Sequence, residues 1–183
     1  LIPFKKINAF ISIFLLILII IYLIYNCNLN LQEYKIFLTT AIIQVRLNSK
    51  RLPKKALLSI CENSLLENLV FRLKKSKYIN KVIISTSNNK TDKKIIEFCK
   101  KNKILFYKGS LKNVFLRIIN TTKKFKIKYF LRVCADSPLL DSTIIDKGIK
   151  KFNEGNYDLV TNRFPRSYPK GQTVEIIKTK ALY

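Results

Sequence analysis

The stretch Phe37-Leu-Thr-Thr-Ala-Ile-Ile-Gln-Val45 decides the fold of this chain, and the loop Arg46–Lys55 follows it directly. The stretch is apolar and rich in β-branched residues, which is typical of a strand buried inside a sheet. The loop is basic and contains Pro53. A buried strand that opens straight into a charged loop predicts that this loop lies at the edge of a sheet, where ligands bind.

Extended and helical patterns alternate along the rest of the chain. The predicted strands cover residues 37–45, 82–86, 104–107, 129–133, 159–160 and 174–177, and the predicted helices cover residues 64–75, 91–101, 111–125 and 141–153. Strands that alternate with helices of about 10–15 residues predict an α/β fold with a parallel sheet. Thr91 or Asp92 is expected to cap the second helix, and Asp141 the last one.

The chain is strongly basic, with 35 Lys and Arg residues against 11 Asp and Glu residues and a net charge of +24. Such a charge is found in proteins that bind nucleic acids, and a basic nucleic-acid-binding protein is one alternative. The excess is mostly Lys and comes with abundant Ile and Asn, which favours a coding bias and solvated lysines instead. The aromatic residues lie at core spacing rather than among the lysines, so we expect no specific nucleic-acid partner. The charge would still attract anionic substrates.

The four cysteines exclude the common cysteine-based sites. They are Cys27, Cys61, Cys99 and Cys134, and no two of them form a CxxC pair. The chain has no His, so neither a Cys/His zinc site nor a Cys–His nucleophile is available. We therefore expect free thiols in a reducing compartment, which agrees with a cytoplasmic location.

The N-terminal segment 7–25 is apolar and uncharged, and Lys5 and Lys6 precede it. About 20 apolar residues suffice to cross a bilayer. We expect residues 1–30 to be either a transmembrane anchor, with the domain at the inner face of the membrane, or a non-native leader. Residues 31–36 are expected to form a linker. The chain has no Met and stops within an α/β pattern, so we expect residues 37–183 to be a domain truncated at its C-terminus.

The loop Arg46–Lys55 carries the first functional signal, because five of its ten residues are Arg or Lys. Arg donates forked hydrogen bonds to phosphate oxygens, and Lys supplies a compact positive charge. Ser49 adds a hydroxyl donor. Neither GxxxxGK[ST] nor GxGxxG occurs, so the loop is not a P-loop. The residues alone leave two interpretations open, a phosphate-binding loop and an exposed basic loop.

The turn Cys134–Asp141 carries the second signal, since it follows the fourth predicted strand and contains Asp136. Acidic residues are scarce in this chain. A carboxylate at the opening of a sheet is a candidate ligand of Mg²⁺, which binds one or two carboxylates together with phosphate oxygens. The alternative for Asp136 is a simple turn residue.

Five motifs in order resemble a known family. They are Ile42-Ile-Gln-Val-Arg46-Leu-Asn-Ser49-Lys-Arg51-Leu-Pro-Lys-Lys55, Lys81-Val-Ile-Ile-Ser-Thr86-Ser87, Gly109-Ser-Leu-Lys-Asn-Val-Phe-Leu-Arg117, Arg132-Val-Cys-Ala-Asp136-Ser-Pro-Leu-Leu-Asp141, and Asn162 with Pro165-Arg166-Ser-Tyr-Pro-Lys-Gly171 and Val174-Glu175. The chain resembles, over about residues 40–182, the sugar cytidylyltransferases of the group of spore-coat polysaccharide biosynthesis protein F and CMP-KDO synthetase-like proteins, which are related to acylneuraminate cytidylyltransferases.

The resemblance implies a three-layer α/β/α nucleotidyltransferase that transfers CMP from CTP to a 2-keto-3-deoxy or sialic-acid-like sugar acid, with release of pyrophosphate, for surface polysaccharide biosynthesis. It implies that the catalytic residues are Arg46, Lys55 and Asp136, with Asp136 binding Mg²⁺. It implies that the CTP-binding residues are Gln44, Arg46, Ser49, Arg51, Lys55, Thr86, Ser87 and Arg117. Arg166 and Glu175 would bind the sugar, and a homodimer is expected.

Several positions depart from the family pattern, and an inactive fragment or remnant of such an enzyme is therefore a further alternative. The departures are Val45 for Ala, Lys54 for Gly, Asn113 for Asp, Cys134 for Thr, and Lys170 and Thr173 for Asp. The last two concern the sugar side of the site.

Overall fold

A computed structural model of the protein describes residues 16–23, 37–49 and 52–183. The chain divides into two units, Leu1–Lys35 and Ile36–Tyr183. In the first unit, residues 16–23 are helical. The rest of the apolar segment 7–25 and the predicted linker 31–36 lie outside the described residues. Within the described ranges, no helix has both the length and the apolar character needed to span a membrane.

The second unit contains eight strands and four α-helices among its described residues. The strands are β1 Thr39–Gln44, β2 Ser59–Ile60, β3 Asn63–Ser64, β4 Ile79–Ser87, β5 Leu105–Gly109, β6 Tyr129–Cys134, β7 Leu159–Thr161 and β8 Glu175–Lys178. The helices are α1 Leu65–Lys74, α2 Lys93–Lys101, α3 Val114–Lys124 and α4 Ser142–Glu154. The small β2–β3 hairpin was not predicted, because two-residue strands carry no periodic signal.

Six strands form the main sheet in the order β5-β4-β1-β6-β8-β7. Strand β1 pairs in parallel with β4 on one side and with β6 on the other, and β5 pairs in parallel with β4. Strand β8 alone runs antiparallel, to both β6 and β7. The predicted mostly parallel sheet is confirmed, and the carboxyl ends of β1, β4 and β6 lie side by side.

The core confirms the three layers. Ile43 of β1 belongs to one buried cluster, which includes Leu66 of α1, Ile95 of α2 and Ile145 of α4. Its neighbour Ile42 points to the opposite face and packs with Ile118 of α3. Both isoleucines are fully buried, as the sequence predicted for this strand, and each stabilises the fold by about 1.5–3 kcal/mol relative to an exposed side chain.

The helix caps confirm one prediction and correct another. Asp141 caps α4, because its carboxylate accepts a hydrogen bond from the Thr143 N–H at 2.7 Å. The prediction that Thr91 or Asp92 caps α2 was wrong. Asp92 occupies the N-cap position, but its side chain makes no capping hydrogen bond. Asn89 instead caps the preceding 3₁₀ turn Lys90–Asp92, while the Asp92 carboxylate is engaged elsewhere in the interior.

Candidate active site

The loop after β1 and the turn after β6 meet at the carboxyl ends of these adjacent strands. Together with the first turns of α3 they form a cleft of about 260 Å³, which we call the loop cleft. It is lined by Gln44, Val45, Arg46, Ser49, Lys55, Ala56, Val114, Arg117, Cys134, Ala135 and Asp136. The cleft therefore contains five of the eight residues that were predicted to bind the nucleotide, together with Asp136. Arg51 lies outside the described residues.

The described part of the loop folds around the backbone of Leu47, whose side chain is buried. The Leu47 carbonyl accepts hydrogen bonds from the N–H groups of Ser49 and Lys54, both at 2.9 Å. The N–H of Val45 bonds to the Ser85 carbonyl of β4, so the start of the loop continues the sheet. Lys54 adopts a left-handed conformation with φ of 59°, a region that favours glycine. The family pattern has Gly at this position, and the positive φ explains why glycine is preferred there.

Lys55 and Asp136 are brought together across the loop cleft. The Lys55 Nζ lies 2.8 Å from Oδ2 of Asp136, although the two residues are far apart in the sequence. Their side chains are 26% and 47% exposed, so water screens the pair and it adds little to stability. The pair instead places an ammonium group and a carboxylate at the mouth of a cleft that Arg46 and Arg117 also line.

Arg117 is a buried cation that faces this cleft. It is 2% exposed, and its Nη1 donates to the Ser110 carbonyl at 2.6 Å. Its Nε has no hydrogen-bond partner, and no carboxylate forms an ion pair with it within the described parts of the chain. Burial lowers the pKa of Arg117; the charge of Asp92 opposes this shift, and that of Arg46 adds to it. A bound phosphate group would supply both the negative charge and the missing acceptors.

Thr86 and Ser87 end β4, one residue beyond the predicted strand, and the structure does not place them in the loop cleft. Both are fully buried. The hydroxyl of Thr86 donates to Oδ2 of Asp92 at 3.1 Å, and the Ser87 hydroxyl also donates to this oxygen. Their contact with a nucleotide stays a prediction, and the structure gives them a different set of partners.

Glu175 lies at the amino end of β8, and because β8 is antiparallel this end is at the same sheet edge as the loop cleft. The Glu175 carboxylate accepts a hydrogen bond from Nε of Arg132 at 2.5 Å and lies 3.7 Å from Nη1 of Arg163. Arg132 also donates to Oε1 of Gln44 at 3.2 Å. We call these four residues, Gln44, Arg132, Arg163 and Glu175, the Glu175 cluster. Arg166, the other residue predicted to bind the sugar, is exposed on the loop that follows β7.

Gln44 connects the Glu175 cluster to the loop cleft. Its Nε2 donates to the sulfur of Cys134 at 3.0 Å, while its Oε1 accepts from Arg132. Burial raises the pKa of the Cys134 thiol, against the opposing effect of the Arg132 charge. The thiol therefore stays neutral at ordinary pH. The sequence did not assign a role to Arg132 or Arg163. An arginine inside the otherwise apolar strand β6 was the available signal for Arg132.

The described ranges contain no group of three or more His, Cys, Asp and Glu residues arranged to hold a metal ion. Asp136 is the carboxylate that opens to the loop cleft. Any divalent cation bound here would thus need further oxygen ligands from a substrate or from water.

A family model described as cytidylyltransferase matches residues 40–180. The spore coat polysaccharide biosynthesis protein SpsF of Bacillus subtilis is 30% identical over 147 residues, covering 77% of this chain and 59% of that protein. The 3-deoxy-manno-octulosonate cytidylyltransferase of Wigglesworthia glossinidia brevipalpis is 33% identical over 129 residues, covering 68% and 51%.

A solved structure of a cytidylyltransferase from Leptospira borgpetersenii superimposes on this chain with a TM-score of 0.74 at 31% sequence identity. The alignment covers 80% of this chain and 62% of that one. The chain spans about half the length of the curated relatives it matches. The family match, the fold and the order of strand, basic loop and acidic turn agree, and this chain belongs to the cytidylyltransferase family.

Proposed function

We propose that this protein transfers the cytidylyl group of CTP to a hydroxyl of a sugar acid, of the 2-keto-3-deoxy or sialic-acid type, in the synthesis of surface polysaccharide. The observation that carries the proposal is the loop cleft, where Arg46, Lys55 and Arg117 converge beside Asp136. Three cations against one carboxylate suit a triphosphate, whose charge must be countered during transfer. CTP is a cytoplasmic metabolite, so the domain would act in the cytoplasm.

The side chains of the loop cleft would do this by positioning and by countering charge. Arg46, Ser49 and Arg117 bind phosphate oxygens. Lys55 turns from Asp136 toward the triphosphate, because its ion pair with Asp136 is screened by water and is weak. A bond forms between the sugar hydroxyl oxygen and the α-phosphorus, the bond from the α-phosphorus to the bridging oxygen breaks, and pyrophosphate leaves. The hydroxyl proton passes to solvent.

Asp136 fits a Mg²⁺ ion that arrives with the nucleotide. Mg²⁺ commonly binds one or two carboxylates and takes its other ligands from phosphates and water. Asp136 is about half exposed at the mouth of the loop cleft, and one of its oxygens already holds a cation, Lys55. When bound, the ion would neutralise charge on the phosphate oxygens. The position of Asp136 beside Lys55 supports this role.

The Glu175 cluster would meet the sugar. Arg132 and Arg163 share the single carboxylate of Glu175, and Arg166 lies nearby in the sequence on the same loop as Arg163. Positive charge exceeds negative charge there, which favours a sugar that carries a carboxylate. Glu175 would then act mainly by fixing the two arginines. The homodimer stays a prediction from the family resemblance.

The proposal is tested by pyrophosphate release from the whole chain with Mg²⁺, each of the four nucleoside triphosphates, and a panel of sugars. The panel pairs 2-keto-3-deoxy-octonate and N-acetylneuraminate with the neutral sugars mannose and glucose. We expect release with CTP and a sugar acid only. Failure with every nucleotide, while CTP still binds, would indicate the inactive remnant. Release with UTP and a neutral sugar would contradict the proposed substrates.

A further inference from the structure

The carboxylate of Asp92 is fully buried and joins two segments of the chain. Its Oδ1 accepts the N–H of Leu47 in the basic loop at 2.8 Å. Its Oδ2 accepts the N–H of Ser87 at 3.2 Å, the hydroxyl of Thr86 at 3.1 Å and the hydroxyl of Ser87. Among the described residues no ion pair includes Asp92. A buried carboxylate is costly unless hydrogen bonds replace its lost hydration, and here four donors do so.

The bond to Leu47 reaches the residue around which the described part of the basic loop folds. The same residue that donates to Asp92 accepts, through its carbonyl, the N–H groups of Ser49 and Lys54. Arg46 directly precedes this residue, and Lys55 directly follows Lys54. The positions of Arg46, Ser49 and Lys55 therefore depend on where Leu47 is held, and Asp92 holds it against the end of β4.

We propose that Asp92 is a positioning residue that fixes the basic loop in the conformation that binds a triphosphate. Asp92 itself does not line the loop cleft, so it acts through Leu47 rather than by touching the ligand. The proposal rests on the proposed function, because it presumes that the loop binds the phosphates of CTP. It also explains why Thr86 and Ser87 are buried: they donate to the carboxylate that anchors the loop.

The role requires a carboxylate rather than an amide. Two backbone N–H groups, of Leu47 and Ser87, point at different oxygens of Asp92. Both groups are donors that cannot become acceptors. In Asp92→Asn, either orientation of the amide directs its NH₂ group at one of them and leaves a buried N–H without an acceptor. The substitution changes almost no volume, so it tests the anchor without emptying the core.

Asp146→Asn is the matched control. The Asp146 carboxylate also accepts a hydroxyl, from Ser76 at 2.5 Å, and a backbone N–H, from Lys77 at 3.3 Å. These bonds join α4 to the turn before β4, at the amino end of that strand and away from the loop cleft. A purely structural carboxylate would show the same behaviour at both positions.

The test measures binding of CTP and of inorganic tripolyphosphate to the wild-type chain and to both variants by calorimetry. We expect Asp92→Asn to weaken both ligands by about five-fold or more, because a buried donor without an acceptor favours release of the loop. Asp146→Asn should bind both ligands as the wild type does. Equal weakening in the two variants, or a folded Asp92→Asn variant with unchanged affinity, would overturn the proposal.

Amide hydrogen exchange of the wild-type chain keeps the proposal testable should Asp92→Asn fail to fold. The amide of Leu47 is expected to exchange as slowly as those of β1, and much more slowly than that of Asn48. Rapid exchange at Leu47 would overturn the anchor. A chain that binds tripolyphosphate but not CTP would refute the proposed function and leave the anchor standing, whereas a chain that binds neither would refute the positioning role.

Discussion

The loop cleft and the Glu175 cluster are both rich in arginine, but they balance their positive charge differently. In the loop cleft, Arg117 is buried beside Arg46 without a carboxylate partner among the described residues, and the Lys55–Asp136 pair is open to solvent. In the Glu175 cluster, a nearly buried carboxylate already pairs with Arg132 and Arg163. The comparison teaches that the buried cation of the first region has no ion-pair partner among the described residues, whereas in the second region one carboxylate fixes two arginines and leaves a net positive charge.

The largest expected effect is the loss of catalysis when the ammonium group of Lys55 is removed from the loop cleft. Lys55→Ala should lower kcat/KM by about a hundred-fold or more, since a donor aimed at developing charge contributes most in the transition state. Initial rates of pyrophosphate release over a range of CTP concentrations measure it. The neighbouring variant Lys54→Ala is the control and should keep activity within about ten-fold of the wild type, because Lys54 does not line the loop cleft. Equal losses of activity in both variants would show that Lys55 has no special role in the loop cleft.

Asp136→Asn should come next and should act through the metal. The amide keeps the shape of the side chain but loses the charge that a divalent cation needs, so we expect turnover to fall by about ten- to a hundred-fold. The Mg²⁺ concentration for half-maximal rate should rise. A rate that falls with an unchanged Mg²⁺ dependence would show that Asp136 acts only through Lys55.

Arg117→Met separates ligand binding from stability. Loss of the Ser110 hydrogen bond and relief from burying a cation oppose each other, so the free energy of unfolding should change by about 1 kcal/mol or less. CTP affinity should fall by about ten-fold or more, because a charge-assisted contact to phosphate is lost. Denaturant unfolding and calorimetry measure the two quantities. A large loss of stability with unchanged CTP affinity would make Arg117 a structural residue.

Glu175→Gln should show the opposite pattern to Arg117→Met, with a loss of stability and no change in the KM for CTP. Arg132 and Arg163 would lose their shared charge, and we expect the chain to be destabilised by about 1–2 kcal/mol, less than for a fully buried pair because both arginines keep some exposure. The KM for the sugar acid should rise while the KM for CTP stays the same. Equal changes in both KM values would show that the two regions are not independent.

The smallest effect concerns the described thiols, of which Cys134 lies at the boundary between the two regions. Burial raises the pKa of Cys99 to about 12 and also raises that of Cys134, whereas Cys61 is exposed. Only the thiolate reacts, so among these three thiols Cys61 should be alkylated first, Cys134 more slowly and Cys99 slowest, with the rates of Cys134 and Cys99 rising as the pH is raised. Peptide mapping measures the order, and CTP should protect Cys134 selectively.

Several features followed from residues that are close in the sequence. The apolar run 39–44 gave a buried central strand, since no surface strand would tolerate it, and Asp141 capped α4 because a cap needs only the next turn of the helix. The basic loop after β1 was also found, together with Asp136 at the end of β6. Each of these predictions depended on a local pattern and on the order of the elements.

The errors and omissions came from contacts between distant residues. Asp92 was predicted to cap α2, but its carboxylate accepts the N–H of Leu47, 45 residues earlier. The Leu47 N–H is buried and needs an acceptor from the protein, whereas the N–H groups at an exposed helix end can bond to water. The contact of Thr86 and Ser87 with a nucleotide stays a prediction, but the sequence did not reveal that both hydroxyls donate to the same Asp92 carboxylate. No pattern in the basic loop or in the segment from Thr86 to Asp92 revealed that these two segments contact each other.

The sequence by itself determined the α/β alternation, the family and the chemical character of the basic loop. Each of these depends on hydrophobic periodicity or on motifs of residues that are close together in the sequence. The tertiary structure alone decided which charges are satisfied. It paired Lys55 with Asp136 and Arg132 with Glu175, and it left Arg117 facing the cleft. The physical reason is that the energy of a charge depends on burial and on neighbours within a few ångströms, and the packing of the sheet sets both.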